Sequence, residues 1–180
     1  MILTSMQGRS PLPDYGAYLM IYIVMGVSGC GKSTIGSLLA KRIGADFADA
    51  DDYHPPENIS KMKQGRPLGD DDRRQWLEAL SSIITKYVSA DRSLVMACSA
   101  LKQRYRDILV GGHPPASIKF IYLKCGIDII NQRVSSRQNH FMPPSLIQSQ
   151  FDDLEEPAGD NVVVIDGGMG IDVIVSRLCR

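Results

Sequence analysis

The sequence predicts an α/β protein, one parallel sheet with helices packed on both of its faces. Three observations predict it. Five short apolar runs alternate with segments whose apolar residues recur at helical spacing, the pattern of a covered parallel sheet. The first run, Leu19 to Met25, is apolar almost without interruption, as a central strand buried on both faces must be. Directly behind it stands Gly26-Val27-Ser28-Gly29-Cys30-Gly31-Lys32-Ser33, a complete G-x-x-x-x-G-K-[ST] loop that opens a helical segment.

That strand–loop–helix setting gives the loop its chemistry. The glycines let the backbone bend until successive N–H groups point inward at phosphate oxygens. The helix that opens at Lys32 adds the positive end of its dipole. Lys32 can reach the outer phosphates of a nucleoside triphosphate, and the Ser33 hydroxyl can ligate magnesium. Gly26, Ser28, Gly29, Cys30, Gly31, Lys32, Ser33 and Thr34 are therefore the candidate nucleotide-binding residues, and Lys32 is also a catalytic candidate. Cys30 contributes its backbone, and a redox role for its thiol is the weaker alternative.

Bulk properties exclude other classes. A chain of 180 residues suits one domain with a continuous core. Its 20 basic and 20 acidic residues cancel, so no general field draws in nucleic acid or an anionic membrane. An anionic substrate then needs a local basic cluster. Cys30, Cys98, Cys125 and Cys179 lie far apart without metal-ligand spacing and read as reduced thiols of an intracellular, by default cytoplasmic, protein. The apolar stretch Ala17 to Val27 behind Arg9 mimics a secretory segment, but cleavage there would destroy the loop. It is also far shorter than the roughly 20 residues of a membrane span.

Taken in order, Met1 to Gly16 reads as a mobile extension or expression remnant, followed by a single domain over 17–180. Lys32 to Ile43 is a helix with Ile35, Leu38, Leu39 and Ile43 on its apolar side and Gly44 at its C′ position. Strand two, Asp46 to Asp51, places Phe47, Asp49 and Asp51 on one face by the two-residue period. Acids at a strand end beside a phosphate loop are either solvated or functional. The functional reading is favoured, because open α/β sheets bind ligands at strand C-termini.

Pro55-Pro56 starts a short helix that Gly65 stops, with Lys61 and Lys63 on a solvated face. Asp70-Asp71-Asp72 opens the next helix, where acids suit the dipole and one of them can cap it. That helix carries the stripe Trp76, Leu77, Leu80, Ile83, Ile84 and Val88. Arg73, one turn in, either pairs with a nearby acid or forks onto a substrate carboxylate.

Strand three is Leu94 to Cys98. Ser99 to Lys102 then turns into a helix through Tyr105, Ile108 and Leu109, and the i, i+4 spacing gives Lys102 and Arg106 a common face. Strand four is Ile118 to Leu123. A helix from about Asp128 carries Arg133 and Arg137, also at i and i+4, into His140-Phe141-Met142-Pro143-Pro144. Two arginines on one face before a Pro-bounded loop read as a lid, roughly 133–144, that closes over phosphates. Ser145 to Asp153 is a helix ended before Pro157, strand five is Val162 to Ile165, and Gly170 to Cys179 is the closing helix.

Several of these segments together are more specific than the loop. Met25 to Gly29 with Gly31-Lys32-Ser33, then Asp49-Ala50-Asp51-Asp52-Tyr53-His54-Pro55, resemble the small P-loop gluconokinases. So do Asn58, Lys61-Met62, Gly65, Pro67-Leu68, Asp70-Asp71-Asp72-Arg73 with Trp76-Leu77, and Cys98-Ser99-Ala100-Leu101-Lys102 with Tyr105-Arg106-Asp107. The match reappears at His140-Phe141, at Ser149-Gln150-Phe151, and at Leu154-Glu155 with Pro157. It covers about Ile21 to the C-terminus, and the extension before it has no counterpart.

The resemblance implies a three-layer P-loop kinase fold, shikimate-kinase-like, with strand order 2-3-1-4-5. It implies ATP-dependent phosphorylation of D-gluconate to 6-phospho-D-gluconate, feeding the pentose phosphate pathway, with Mg²⁺ as cofactor and a homodimer as the assembly. On it, Ser33 and Asp49 serve the magnesium, and Asp51 orients the acceptor hydroxyl and takes its proton. His54 and Gln150 meet hydroxyls, and Arg73 is the first choice for the carboxylate, with Lys102 and Arg106 as further candidates. Arg133 and Arg137 neutralise charge between the β- and γ-phosphates. The alternatives are a kinase of another small acid or polyol such as shikimate, and a nucleotide-dependent regulatory module. The module lacks support, since no Asn-Lys-x-Asp run occurs.

Overall fold

The structure is a computed structural model that describes residues 20–135 and 144–179. The predicted extension over Met1 to Gly16, Leu19 of the first strand, and Arg137, His140 and Phe141 of the predicted lid lie outside the described residues.

Five strands pair in parallel in the order β2-β3-β1-β4-β5: β1 Ile21–Met25, β2 Asp46–Asp49, β3 Leu94–Ala97, β4 Ile118–Lys124 and β5 Val162–Asp166. The order implied by the resemblance is the one observed. β1 is central, and Ile21, Ile23, Val24 and Met25 are wholly buried, which is why its sequence is apolar without alternation.

The helices are α1 Lys32–Ile43, α2 Pro56–Lys63, α3 Asp70–Ser89, α4 Gln103–Val110, α5 Ile127–Ser135, α6 Pro144–Asp153 and α7 Ile171–Leu178. On one face of the sheet, Ile21, Ile23 and Met25 pack with Trp76, Leu77, Leu80 and Ile84 of α3 and Tyr105 and Leu109 of α4. On the other, Val24 packs with Ile35 and Leu39 of α1, Ile130 of α5 and Ile174 of α7. The parallel registers set Val24 and Asp49 each level with Ala97. The segments leaving β1, β2 and β3 therefore emerge together at one edge, where a ligand site belongs.

Four expectations are corrected. α1 buries Ile35, Gly36, Leu39 and Ala40, whereas Leu38 and Ile43 are exposed. Gly36 is the cause: a Cβ there would stand 2.9 Å from the Phe47 ring, so the helix lies close on the sheet and its contact stripe is rotated. Strand two stops at Asp49, because the Asp49 carboxylate accepts the Asp51 N–H and turns Ala50–Tyr53 into a 3-10 helix. Asp51 therefore does not share a strand face with Phe47 and Asp49. Lys102 is extended and precedes α4, so it shares no helical face with Arg106. In α3, Ile83 and Val88 are only half-buried. Other boundaries move by a residue or two, as helix and strand ends do. α1 begins at Lys32 as expected, and Gly44 ends it in the left-handed region at φ 71°.

Candidate active site

The loop after β1 is shaped by backbone that only glycine adopts readily: φ is 139° at Gly26, 85° at Gly29 and 102° at Gly31. Inside it, the Cys30 N–H donates to Val27 O at 3.3 Å and Lys32 Nζ to the same carbonyl at 3.1 Å. The Gly26 N–H donates to Ser99 O at 3.3 Å, which ties the loop to the segment after β3. Among the described residues, the N–H groups of Gly29, Gly31, Lys32, Ser33 and Thr34 have no protein acceptor. Unanswered donors at the start of a helix form a cradle for an anion. Cys30 is wholly buried with its thiol against Gly26, and because its N–H is taken by Val27 O, the expected backbone contribution of Cys30 is corrected: it adds no free donor to the cradle.

One loop donor is already taken. The Ser28 N–H donates to Gln150 Oε1 of α6 at 2.7 Å, so Gln150 stands on the loop itself.

Beside the cradle, Ser33 Oγ donates to Asp49 Oδ2 at 2.5 Å, and Asp49 Oδ1 accepts the Asp51 N–H at 3.1 Å. This hydroxyl and carboxylate are hard oxygen donors of the kind Mg²⁺ takes alongside phosphate and water. The turn after Asp49 leaves the Asp51 side chain 81% exposed, open to an incoming hydroxyl. His54 is covered instead, with a side chain only 6% exposed and its Nε2 3.9 Å from Asp51 Oδ1. Its ring stacks on Trp76 with centroids 4.3 Å apart, and Trp76 Nε1 donates to Ala50 O at 2.7 Å. The His54 Nδ1 is buried without a hydrogen-bond partner among the described residues. Burial pushes the His54 pKa down; the nearby Asp51 charge opposes this without overcoming it, and Arg73 adds to the lowering.

The third group is basic, and it is fully engaged with acids. Arg73 Nη1 donates to Tyr105 OH at 3.0 Å and to Asp153 Oδ2 at 3.1 Å. Lys102 Nζ stands 2.9 Å from Asp153 Oδ1 and 3.2 Å from Asp70 Oδ1. Asp70 also accepts from Tyr105 and Arg104. The Tyr105 hydroxyl, followed by Lys102, holds the Asp70 carboxyl below the usual range, and the Asp153 hydrogen bond holds the Lys102 ammonium above its own. The strand edge draws these groups into range of one another. The buried Cys98 thiol, pushed up to about 12 by desolvation, is also raised by Asp51 and Asp49 and lowered by Lys32.

Two expected arginines serve the scaffold where they stand. Arg106 is buried, and its guanidinium donates to Ala100 O at 2.9 Å, Leu101 O at 3.0 Å and Gln103 Oε1. It stabilises a loop in which Ala100 has φ 44°, a strained value for a residue with a Cβ. Arg133 donates to Cys30 O at 3.2 Å and Gly167 O at 2.7 Å, which braces the phosphate loop against the exit of β5. Arg137 lies outside the described residues.

None of Asp153, Asp70 and Tyr105 receives a role in the site from the sequence alone, where Asp70 reads as a helix-opening acid and Tyr105 as a residue of the following helix. One signal was available: Asp152 and Asp153 end α6, where acids oppose the helix dipole. An acid in that position calls for a cation elsewhere, and Asp153 has two.

Comparison with known proteins fits this arrangement. The shikimate kinase family model matches residues 28–157. A probable gluconokinase of Xenopus tropicalis is 43% identical over 88% of this chain and 91% of its own length. The thermoresistant gluconokinase of Escherichia coli (strain K12) is 41% identical, covering 87% of this chain and 89% of its own.

The chain belongs to the gluconokinase family.

The solved gluconokinase of Sinorhizobium meliloti 1021 superposes with a TM-score of 0.78 at 38% identity, covering 90% of this chain and 94% of the other. The gluconokinase-family chain is thus a nucleotide-using kinase of this fold. At one sheet edge it sets a row of amides unanswered among the described residues, an exposed carboxylate and a basic cluster paired with acids. Among its described residues no helix is long and apolar enough to cross a membrane.

Proposed function

We propose that the protein transfers the γ-phosphoryl group of ATP to the terminal hydroxyl of D-gluconate, giving 6-phospho-D-gluconate and ADP. The observation that carries the substrate is family membership: the probable gluconokinase of Xenopus tropicalis and the thermoresistant gluconokinase of Escherichia coli are 43% and 41% identical, covered to 91% and 89% of their own lengths. The observation that carries the donor is the set of amides of Gly29, Gly31, Lys32, Ser33 and Thr34, unanswered among the described residues.

Transfer of this kind is a matter of positioning and charge stabilisation. The amides of Gly29, Gly31, Lys32, Ser33 and Thr34 hold the phosphates, and Lys32 releases Val27 O to reach them. Ser33 and Asp49 serve Mg²⁺, which supplies charge neutralisation on the phosphate oxygens when bound. Asp51 accepts a hydrogen bond from the terminal hydroxyl and orients its oxygen toward phosphorus. As the new O–P bond forms, the bond from phosphorus to the β–γ bridging oxygen breaks, and the hydroxyl proton passes to Asp51. His54, neutral at pH 7 because burial lowers its pKa, offers its orphaned Nδ1 to a substrate hydroxyl.

Arg73 and Lys102 meet the gluconate carboxylate by sharing their charge between it and Asp153. Residues 133–144 act as the lid, with Arg137 brought to the phosphates and water excluded. The protein works as a homodimer in the cytoplasm, as one kinase domain over 17–180, and its product enters the pentose phosphate pathway.

The test is the site of phosphorylation. Proton-coupled phosphorus NMR of the product should show a phosphomonoester split by the two protons of a primary carbon. Splitting by one proton would place the phosphate on a secondary hydroxyl and reject the proposed acceptor geometry.

A further inference from the structure

Gln150 and Asp153 lie one turn apart on α6, on one face of that helix, and each grips a different half of the candidate site. Gln150 Oε1 accepts the Ser28 N–H of the phosphate loop at 2.7 Å. Asp153 divides its two oxygens between Lys102 Nζ at 2.9 Å and Arg73 Nη1 at 3.1 Å. The exit of α6 is clamped as well. The Glu155 N–H donates to Leu101 O at 3.0 Å, and Glu155 Oε2 accepts the Gln103 N–H at 2.6 Å. Lys102 lies between those two anchor points, so it cannot keep its place if α6 shifts.

We propose that Gln150 and Asp153 are positioning residues that make α6 a strut, through which occupancy of the phosphate loop raises affinity for the acidic substrate, and the reverse. The proposal rests on the gluconate reading above. Phosphates that satisfy the amides of Gly29, Gly31, Lys32, Ser33 and Thr34 fix the loop in one shape, and the Ser28 N–H with it. The bond to Gln150 then fixes α6, and Asp153 fixes the spacing of Arg73 and Lys102. The carboxylate meets two cations that are already ordered and loses less freedom in binding them, so binding at one half favours binding at the other. Such coupling is reciprocal by linkage.

The residue types fit the task. A carboxamide accepts the Ser28 N–H without setting a negative charge beside bound phosphates, as a glutamate would. A carboxylate at 153 carries two oxygens and can hold both cations at once. An asparagine would offer one acceptor oxygen and a donor that neither cation can use.

The experiment is calorimetric titration of the full-length protein with D-gluconate, alone and with the imido analogue of ATP and Mg²⁺ at saturation. The ratio of the two dissociation constants is the readout, because a residue needed only for folding would change both constants and leave the ratio alone. In the wild-type protein gluconate should bind at least about fivefold tighter with the analogue present. Gln150→Met keeps the length and removes the acceptor, and its ratio should fall to within about twofold of one. Gln150→Glu restores an acceptor for Ser28 and should recover most of the ratio, although its charge weakens the analogue. Asp153→Asn, a second and independent variant, should also bring the ratio near one.

A wild-type ratio near one, or an unchanged ratio in a folded Gln150→Met or Asp153→Asn protein, would overturn the coupling while leaving the gluconate reading intact. No gluconate binding in either state would overturn that reading and the coupling with it.

Discussion

The Ser33 hydroxyl donates to Asp49 Oδ2 at 2.5 Å, so the first turn of α1 and the end of β2 are joined through the pair of oxygen atoms proposed to serve magnesium. Asp49 also turns the chain by accepting the Asp51 N–H, which sets Asp51 beside the cradle. Asp49→Asn retains one acceptor for that turn and removes the negative charge. It should raise the magnesium concentration for half-maximal activity about tenfold, a loss of ~1.4 kcal/mol, with little change in melting temperature. Magnesium titration of the initial rate checks this, and an unchanged requirement removes Asp49 from the metal's surroundings.

Asp51 enters the turn through its backbone alone, and its side chain is 81% exposed, so replacing that side chain costs little stability. Asp51→Asn should lower turnover by about 10²-fold or more and leave the nucleotide dissociation constant within twofold. Collapse of nucleotide affinity instead would move Asp51 to the donor side.

Arg73 and Arg106 separate a binding role from a scaffold role. Arg73→Met should raise the KM for gluconate by roughly 10–100-fold, the worth of a charge-assisted hydrogen bond. Arg106→Met strands the Ala100 and Leu101 carbonyls that Arg106 holds. It should cost about 3 kcal/mol, or ~10 °C in melting temperature, while KM in the folded fraction stays near the wild-type value. Equal KM effects would mean that the two arginines meet the same substrate group.

His54 gives a pH dependence whose sign is fixed. Its folded pKa lies below the usual value of about 6.5, so the unfolded chain binds the proton more readily. The stability it contributes is complete above about pH 6.5 and is lost as pH falls through the lowered folded pKa. His54→Phe keeps a ring on Trp76 and should remove that component of the unfolding free energy between pH 7 and 5. Trp76 is the only tryptophan, so its fluorescence follows the ring stacked on it and checks the same titration. A fluorescence midpoint above 6.5 would contradict the burial argument. Asp70 and Asp72, both held low, add a separate loss at more acid pH.

The framework was legible in the sequence because its signals are local. The uninterrupted apolarity of Ile21 to Met25 announced a central strand, Gly44 marked the end of α1, and the loop from Gly26 to Ser33 stood out by its glycines. What escaped depends on close approach and on contacts between distant segments. The contact of Gly36 with Phe47 rotates the buried face of α1, and no helical period reveals it. The side chain of Asp49 ends its own strand, so a two-residue period carried on to Asp51 overran the turn. Gln150 meets Ser28 across 122 positions, and Asp153 meets Arg73 across 80. Spacing along the chain identified the basic residues and left the acid that holds them unseen. Lys102 and Arg106 shared a face only on the assumption that α4 began before Lys102.

The central claim is that gluconate is the acceptor of the phosphoryl group, and acceptor-dependent ADP release by the wild-type protein measures it most directly. With MgATP at saturation, kcat/KM for D-gluconate should exceed that for shikimate and for neutral polyols by at least about a hundredfold, since those lack the carboxylate, the flexible chain or both. Shikimate turnover with none on gluconate, or ADP release at one rate whatever acceptor is present, would contradict it.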